Sequence, residues 1–369
     1  MTILKGVQLL IAMAGMPVST FCQMPALKVA PVPNDPLEMV SGQVQVVSTP
    51  EEREAILGLL SRARINYSLR GSSKGYDLKV SFSVNSGGAT EYDGAWEMEE
   101  IYGPRMGFRW TAKSAAGFTT TQISANRLYY AEGTASALPL RLHEARSALF
   151  GPIATPLYMD KDLIRTSQGS LNGVALTCVL LSGAQNPATP TPGRRWEEME
   201  ECIDPQTGLL RVHSLAPGRY ELYDYTNAPK LVNHTMPRTV TITEGGKTVM
   251  ELHVDSLTEL PAVDPSLFVP SAEMKAGEPG IMLAEARKVS VFNSRVGRGA
   301  DAVVQPVCVF GLVTPSGKVT EAHSLQPSDP NSQAAVEAAK RMNFYTPTPP
   351  GARPEQRFVF IIEKFISTQ

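Results

Sequence analysis

The sequence predicts an α+β protein in which a large, curved antiparallel sheet with two helices precedes a small ββαβ domain. Short segments with period-two alternation recur between turn residues, as in Tyr76–Val84, where alternate side chains are apolar. Two segments show helical spacing instead, and the last block has the order strand, strand, helix, strand. The 29 glycines and 29 prolines also suit a chain with many turns.

The first helix is predicted from Thr49-Pro50-Glu51-Glu52, which has a capping residue, a proline at the first helical position and a glutamate three residues after the cap. A second helix is predicted over Leu138–Phe150 and a third over Asp329–Met342. The predicted divisions of the chain are a signal or short anchor (1–22), a Pro-rich leader (23–44), the large-sheet domain (45–270), a linker (271–288) and the final domain (289–369).

The N-terminal residues predict export. Lys5 precedes an apolar run from Val7 to Val18, and small residues follow. This order is typical of a secretory signal, and the run is shorter than the roughly 20 residues that a spanning helix needs. Two alternatives stay open, namely an uncleaved anchor formed by residues 5–22 and a buried N-terminal helix.

The charge balance excludes a protein that binds nucleic acid by electrostatics alone, because 34 basic and 36 acidic residues give a net charge of −2. The four cysteines are too few for a disulfide scaffold. A hairpin whose tip is the loop from Asn186 to Gly193 would bring Cys178 and Cys202 together, so we expect a disulfide there. The alternative is two buried free thiols, and Cys308 is expected to be buried in a strand.

The sequence offers no clear catalytic or metal site, so we expect no enzyme activity, metal or cofactor. The five histidines are scattered, and no nucleophile elbow is present. Two acidic clusters are interpreted as solvated strand faces, with glycoside chemistry as the alternative. The clusters are Glu97, Glu99 and Glu100, and Glu197, Glu198, Glu200 and Glu201.

The concave side of the large sheet must be filled, either by helices and aromatic side chains or by an apolar ligand. The alternative to a ligand site is an ordinary core. The candidate lining residues are Leu78, Val80, Phe82, Trp96, Met98, Phe108 and Trp110.

The final domain resembles the C-terminal domain of TonB-type energy transducers. The matching features are Val309–Val313, the turn Pro315–Val319, the Ala-rich helix, Met342–Pro347, Gly351 and the strand Phe358-Val359-Phe360. Asn343 and Tyr345 depart from the aromatic-rich signature, and the long Pro-rich spacer is missing. The resemblance implies that Phe358, Val359 and Phe360 form an edge strand that pairs with a partner segment.

The large-sheet domain looks like the LolA/LolB-like lipoprotein-carrier superfamily. The matching features are the first helix, the strands Leu78–Val84 and Gly94–Glu97, the turn Asp204–Leu209 and the ending Phe268-Val269-Pro270. The resemblance implies an unclosed half-barrel that shields acyl chains.

Together the two resemblances imply a non-enzymatic periplasmic protein. Its expected partners are a lipid or lipoprotein and envelope proteins such as outer-membrane receptors, with no nucleic acid. The alternatives are a TonB-type energy transducer and a docking protein with a filled core.

Overall fold

The computed structural model describes residues 28–30, 32, 36–39, 44–86, 92–125, 128–133, 139–153, 162–183, 193–277, 287–293, 302–314, 316–344 and 357–368. The predicted signal or anchor, residues 1–22, lies outside these residues. Within the described ranges, none of the helices combines the length and the apolar character that a bilayer crossing requires.

The described chain contains three α-helices and 22 strands. The helices are α1 (Pro50–Asn66), α2 (Leu140–Phe150) and α3 (Ser332–Lys340). The strands before α2 are β1 (Lys28–Val29), β2 (Glu38–Met39), β3 (Gln45–Val46), β4 (Gly75–Val84), β5 (Gly94–Gly103), β6 (Gly107–Ser114), β7 (Thr119–Ala125) and β8 (Leu128–Gly133). The strands between α2 and residue 277 are β9 (Asp162–Leu171), β10 (Val174–Gly183), β11 (Met199–Ile203), β12 (Leu210–Ala216), β13 (Arg219–Asp224), β14 (Lys230–Leu231), β15 (His234–Thr235), β16 (Thr239–Glu244), β17 (Lys247–Leu260) and β18 (Lys275–Gly277). The remaining strands are β19 (Arg287–Asn293), β20 (Ala302–Val313), β21 (Val319–Ser324) and β22 (Arg357–Thr368).

Fifteen strands form the large sheet, in the order β18-β8-β7-β6-β5-β4-β17-β16-β13-β12-β11-β10-β9-β2, with β3 also on β9. Two antiparallel meanders meet where β17 pairs with β4. The ladder register shifts at three places in the second meander and at one place in this seam, and such bulges bend a sheet. Among the described residues no pairing joins the two ends, so the predicted large, unclosed antiparallel sheet is confirmed.

Local chemistry fixes several of these elements as the sequence predicts. Thr49 and Glu52 form the reciprocal capping box at the start of α1. The hairpin between β16 and β17 turns at Gly245 and Gly246, whose φ angles of 58° and 79° suit a two-residue turn. Asp204 accepts hydrogen bonds from the backbone of Gln206 and Thr207 and holds the turn between β11 and β12.

Both helices of the first domain cover the same face of the large sheet. The apolar sides of α1 and α2 pack with strand residues in one continuous apolar cluster, and Leu60, Leu142 and Leu149 are fully buried. The other face is covered in part by a second cluster around Cys178, Cys202 and Tyr220. Cys178 and Cys202 are direct partners across the β10–β11 hairpin and form the predicted disulfide.

The final domain contains the predicted ββαβ unit, built from β20, β21, α3 and β22. Its C-terminal sheet has two further strands, because β19 pairs in parallel with β22 and β1 pairs in parallel with β20. One face of this sheet packs on α3 through residues such as Val309 and Ile361. Cys308 is buried in β20, as predicted, and its sulfur is a thiol rather than part of a disulfide.

The predicted leader and linker contain strands of both sheets. β1 extends the C-terminal sheet, whereas β2 pairs with β9 of the large sheet. Within the predicted linker, β18 pairs with β8 at one end of the large sheet. Paired backbone in both segments means that neither behaves as a simple spacer between domains, because each contributes hydrogen bonds to a sheet.

Candidate functional site

The seven predicted lining residues lie on three adjacent strands and share one face of the large sheet. Leu78, Val80 and Phe82 come from β4, and the others come from β5 and β6. Cross-strand pairing places Phe82 opposite Trp96 and Val80 opposite Met98. Their exposed fractions range from 0% to 7%. The structure therefore brings the seven side chains together, as the period-two pattern predicts.

Side chains of the same chain cover this face. The Phe82 and Trp96 rings stack with centroids 5.5 Å apart, and Phe118 packs on Trp96 at the same centroid distance. The Arg70 guanidinium lies 3.7 Å from the centre of the Phe108 ring. The Arg146 guanidinium lies 4.0 Å from the centre of the Trp110 ring. The aromatic faces that could hold a ligand thus carry cation–π contacts instead.

The burial of Arg146 has an electrostatic cost. Desolvation, with repulsion from Arg70, lowers the pKa of Arg146 to about 10. Arg70 itself donates to both oxygens of Glu100, which is fully buried and also accepts from the Tyr76 hydroxyl. Glu100 therefore does not lie on a solvated strand face, and that interpretation is wrong for this residue, because Arg70 and Tyr76 replace its solvent.

Neither of two open clefts in the described part of the chain is lined by any of the seven residues. One, of about 330 Å³, lies between the start of β4 and the end of β17. The other, of about 620 Å³, lies beside the end of α1. In this structure the seven residues are core residues, and a role in ligand binding stays a prediction.

Buried ion pairs are a second notable feature. They involve Glu198 and Glu200 of the second acidic cluster. Arg165 binds Glu198 through two nitrogens, and Arg194 pairs with Glu200 at 3.0 Å. All four side chains are 1% exposed or less. The interpretation of Glu198, Glu200 and Glu201 as a solvated face is therefore wrong. The arginines that cover them come from positions distant in sequence or from an irregular segment, so strand periodicity carries no signal of them.

Glu201 pairs with His213 across β11 and β12, with Nδ1 and Oε1 2.9 Å apart. Burial raises the pKa of Glu201. Burial opposes the charge on His213, but the Glu201 and Glu221 carboxylates outweigh it and raise the pKa of His213.

The metal-like group Cys178, Glu200 and Cys202 has its two sulfurs in the disulfide. It therefore offers no thiolate to a metal.

A set of five charged side chains, here called the junction cluster, lies where α2, β13 and β16 meet. Arg141 binds both Glu144 and Glu244 at 2.8 Å, and Arg219 binds Glu144 at 2.8 Å. Arg219 also binds Glu221 at 2.9 Å. Burial disfavours the Glu244 carboxylate, but Arg141 outweighs it and the pKa of Glu244 lies well below its ordinary value.

The C-terminal sheet packs directly on the junction cluster. His323 of β21 lies 2.8 Å from the Glu244 carboxylate, and the Arg141 guanidinium lies 5.5 Å from the centre of the Phe310 ring. The Gln326 amide donates to the Pro217 carbonyl at 3.0 Å. A Cβ atom at Gly218, which has a φ of 86°, would lie 2.6 Å from the Leu325 carbonyl oxygen. Only glycine fits this contact without displacing the backbone.

An apolar cluster shared by both sheets completes this junction. Trp196 and Ala216 of the first domain pack with Phe310, Phe358 and Phe360 of the final domain. The Trp196 indole donates to the carbonyl of Ala30 in the leader. The two sheets and the leader therefore bury a common core.

The predicted edge strand at Phe358, Val359 and Phe360 is not at an edge. β22 lies between β20 and β19, and Val359 and Phe360 have partners on both sides. The three side chains are at most 7% exposed. The prediction of an edge strand is wrong because β19 pairs in parallel with the side of β22 that faces away from β20. The predicted ββαβ unit contains no strand that corresponds to β19.

The fold is thus an unclosed antiparallel sheet with α1 and α2 on one face, joined to a smaller sheet. No protein-family model matches the sequence, and no curated protein matches it. Several solved structures, in contrast, are similar to this chain. A putative outer membrane lipoprotein-sorting protein domain from Vibrio parahaemolyticus has a TM-score of 0.36 and 8% identity, covering 58% of this chain and 97% of that one.

A LolA superfamily protein from Nitrosomonas europaea has a TM-score of 0.33 and 9% identity, covering 58% of this chain and 96% of that one. A DUF1329 family protein from Desulfovibrio piger has a TM-score of 0.34 and 10% identity with the same coverage. At these values the likeness is one of general architecture. The resemblance of the final domain to TonB-type transducers stays a prediction.

Proposed function

We propose that this chain is a non-enzymatic protein of the bacterial envelope that docks other envelope proteins, with the large sheet acting as a rigid scaffold. The filled interior is the observation that carries the proposal. The seven residues predicted to line a hollow are 0% to 7% exposed and contact helices and arginines of the same chain. An acyl chain would have to displace α1 or α2 to reach them.

An exported, periplasmic location is supported by two features of the chain. The charged and apolar order of residues 5–18 is that of a secretory signal. The disulfide between Cys178 and Cys202 suits an oxidising compartment.

One edge of the C-terminal sheet that is available for a partner is β19. Among the described residues β19 pairs only with β22, so its other side has backbone groups open to a further strand. A partner segment could extend the C-terminal sheet there by strand addition, which supplies main-chain hydrogen bonds. An outer-membrane receptor is one such partner under the TonB-type resemblance.

Lipid uptake separates docking from acyl-chain transport. The full chain is incubated with palmitate and with phosphatidylethanolamine vesicles and then analysed by native mass spectrometry. We expect no stoichiometric lipid adduct. A Leu128→Ser variant is the matched control, because Leu128 is 55% exposed and any adhesion of lipid to the surface there would fall. A one-to-one adduct that persists in this variant would refute the filled scaffold and restore the carrier function.

Docking at β19 is tested in cells by replacing Ser290 with a photo-crosslinking amino acid. We expect a discrete crosslinked envelope protein at this position. The control position is Lys247, which is exposed in the β16–β17 hairpin of the large sheet. No crosslink at residue 290, or the same product at both positions, would contradict docking at β19.

A further inference from the structure

A polar cleft of about 620 Å³ lies on the large-sheet domain, away from the seven core residues. The end of α1, the turn after β11, the end of β13 and the β14–β15 hairpin form its walls. The side chains that matter for its chemistry are Asn66, Arg211, Tyr225, Asn227, Lys230 and Asn233. Its volume lies within the range of small-molecule sites.

Arg211 is one of the cationic residues that line this cleft. Its guanidinium lies 5.0 Å from the centre of the Tyr225 ring, and its Nε is buried without a hydrogen-bond partner. Within the described ranges it makes no ion pair. Arg165, Arg194 and Arg219, by contrast, each bind buried carboxylates. A partly desolvated guanidinium without an acceptor is a site prepared for an oxyanion.

The Asp204 carboxylate, which lies in the turn after β11, does not form an ion pair with Arg211. Asp204 accepts from the Thr207 hydroxyl at 2.6 Å and from the backbone of Gln206 and Thr207. Partial burial opposes its charge, but these hydrogen bonds lower the pKa of Asp204, with a further contribution from Arg211. The oxygens of Asp204 therefore accept hydrogen bonds within their own turn, and the Arg211 guanidinium remains available to a ligand.

The opposite wall of the cleft adds a second cation and neutral polar groups. Lys230, Asn227 and Asn233 are exposed at the rim. Between Leu231 and His234 the hairpin turns at Val232, whose φ of 54° is unusual for a β-branched residue. The structure thus holds a strained turn at the rim, and Lys230 and Asn233 line the same cleft as Arg211.

We infer that this cleft binds a small acidic sugar, meaning a hydroxylated molecule that carries a carboxylate or a phosphate. Arg211 and Lys230 recognise the oxyanion, because a guanidinium fork pairs with two oxygens at once. The amides of Asn227 and Asn233 bind hydroxyl groups of the same molecule, since each amide offers a donor and an acceptor. Docking of envelope proteins requires no such ligand, so this site is independent of the proposed function.

The test is isothermal titration of the full chain with D-glucuronate, glucose 6-phosphate, inorganic phosphate and glucose. We expect saturable binding of glucuronate or glucose 6-phosphate in the range of about 1 mM or tighter, and none of glucose. Preference for one of the two acidic sugars identifies the oxyanion. Arg211→Gln should weaken binding by about tenfold or more, because a charge-assisted hydrogen bond is lost.

Arg341→Gln is the matched control, since Arg341 is an exposed arginine of the final domain, outside the cleft. Should Arg211→Gln fail to fold, as judged by circular dichroism, Lys230→Met tests the same site through an exposed side chain and should also weaken binding. Unchanged affinity in a folded Arg211→Gln variant would overturn the site. Inorganic phosphate that binds as tightly as glucose 6-phosphate would overturn the assignment of a sugar, and so would binding of glucose.

Discussion

Two buried regions of this protein are stabilised by opposite chemistry. Under α1 and α2 the large sheet is apolar and aromatic, with Leu78, Trp96 and Trp110 almost fully buried. At the junction with the C-terminal sheet the buried groups are charged, with Arg141, Arg219 and three glutamates in contact. Burial in the first region is non-directional, whereas ion pairs in the second require a defined geometry.

This difference teaches what each region contributes. Apolar packing supplies most of the free energy of folding and tolerates small adjustments. A buried charge network gives little net stability, but losing one member leaves another charge buried and unpaired. We therefore interpret the apolar interior as the source of stability and the junction cluster as the device that fixes the C-terminal sheet against the large sheet.

The largest expected effect comes from breaking the junction cluster. Arg219→Met should lower the free energy of unfolding by about 3–5 kcal/mol, because Glu144 and Glu221 lose a buried partner. Urea denaturation measures the change, with Arg341→Met as the exposed control. A loss below about 1 kcal/mol, typical of surface ion pairs, would show that the cluster is hydrated and that the comparison does not hold.

A substitution that opens a cavity under α1 and α2 tests how much the apolar interior contributes to stability. Leu78→Ala should lower the free energy of unfolding by about 2–5 kcal/mol, through lost burial and the space left behind. Leu128→Ala serves as control, because Leu128 is more than half exposed. Should the two variants behave alike in urea, the interior would be loosely packed and open to a guest.

A substitution at Gly218 tests the close approach of the two sheets without changing a charge. Gly218→Ala should destabilise the protein by about 1–2 kcal/mol for the left-handed backbone alone, and the contact with Leu325 adds to this. Limited proteolysis of the final domain is the second measurement, and we expect faster cleavage. Gly246→Ala is the matched control, because it has a similar φ of 79° and open space around its Cβ position. Equal effects of both variants would mean that the sheets do not meet at Gly218.

The smallest expected effect concerns pH. The pKa of His213 is raised in the folded protein, so its stabilising charge is fully present below its ordinary value of 6.5 and is lost as pH rises through the folded value. Glu201, whose pKa is also raised, gives a change of the same sign. The pKa values of Glu221 and Glu244 are lowered, so both stay ionised above pH 6.5.

The excess of the wild-type urea midpoint over that of His213→Gln should therefore shrink as pH rises from 6 to 8. Burial lowers the pKa of His143 to about 4, so its contribution to stability rises with pH over the same interval, and it does so in both proteins. His253→Gln is the control, because His253 is exposed on β17. A difference between the two midpoints that grows over this interval would contradict the direction assigned to His213.

The elements with strong local signals could be predicted from the sequence. The capping box of α1, the alternation of β4, the Gly245-Gly246 turn and the Cys178–Cys202 pair all carry their chemistry within a few residues or one hairpin. β9 was not predictable in this way. Its segment Arg165–Ser170 contains glutamine, serine and glycine, and it is a strand because β10 supplies ten partners along it.

The junction could not be predicted, because its partners are distant in sequence. In the sequence, each of the residues Arg141, Arg219 and Glu244 has the character of an exposed surface charge. Only the packing of α2 on the sheet brings them together. Burial of Phe310 and Phe360 likewise needs the large sheet as a partner. The seven predicted residues were correctly grouped on one face, but periodicity gives the same pattern for a core and for an open hollow.

The leader has a consequence for the order of folding. Lys28 and Val29 pair with Val303 and Val304, so these leader residues complete their hydrogen bonds only with a strand that is synthesised long after them. Such a distant pairing delays closure of the chain, because its entropic cost is met only after the intervening structure has formed. During synthesis the leader must therefore wait unpaired, and a chain interrupted before residue 302 would leave it with no strand to join.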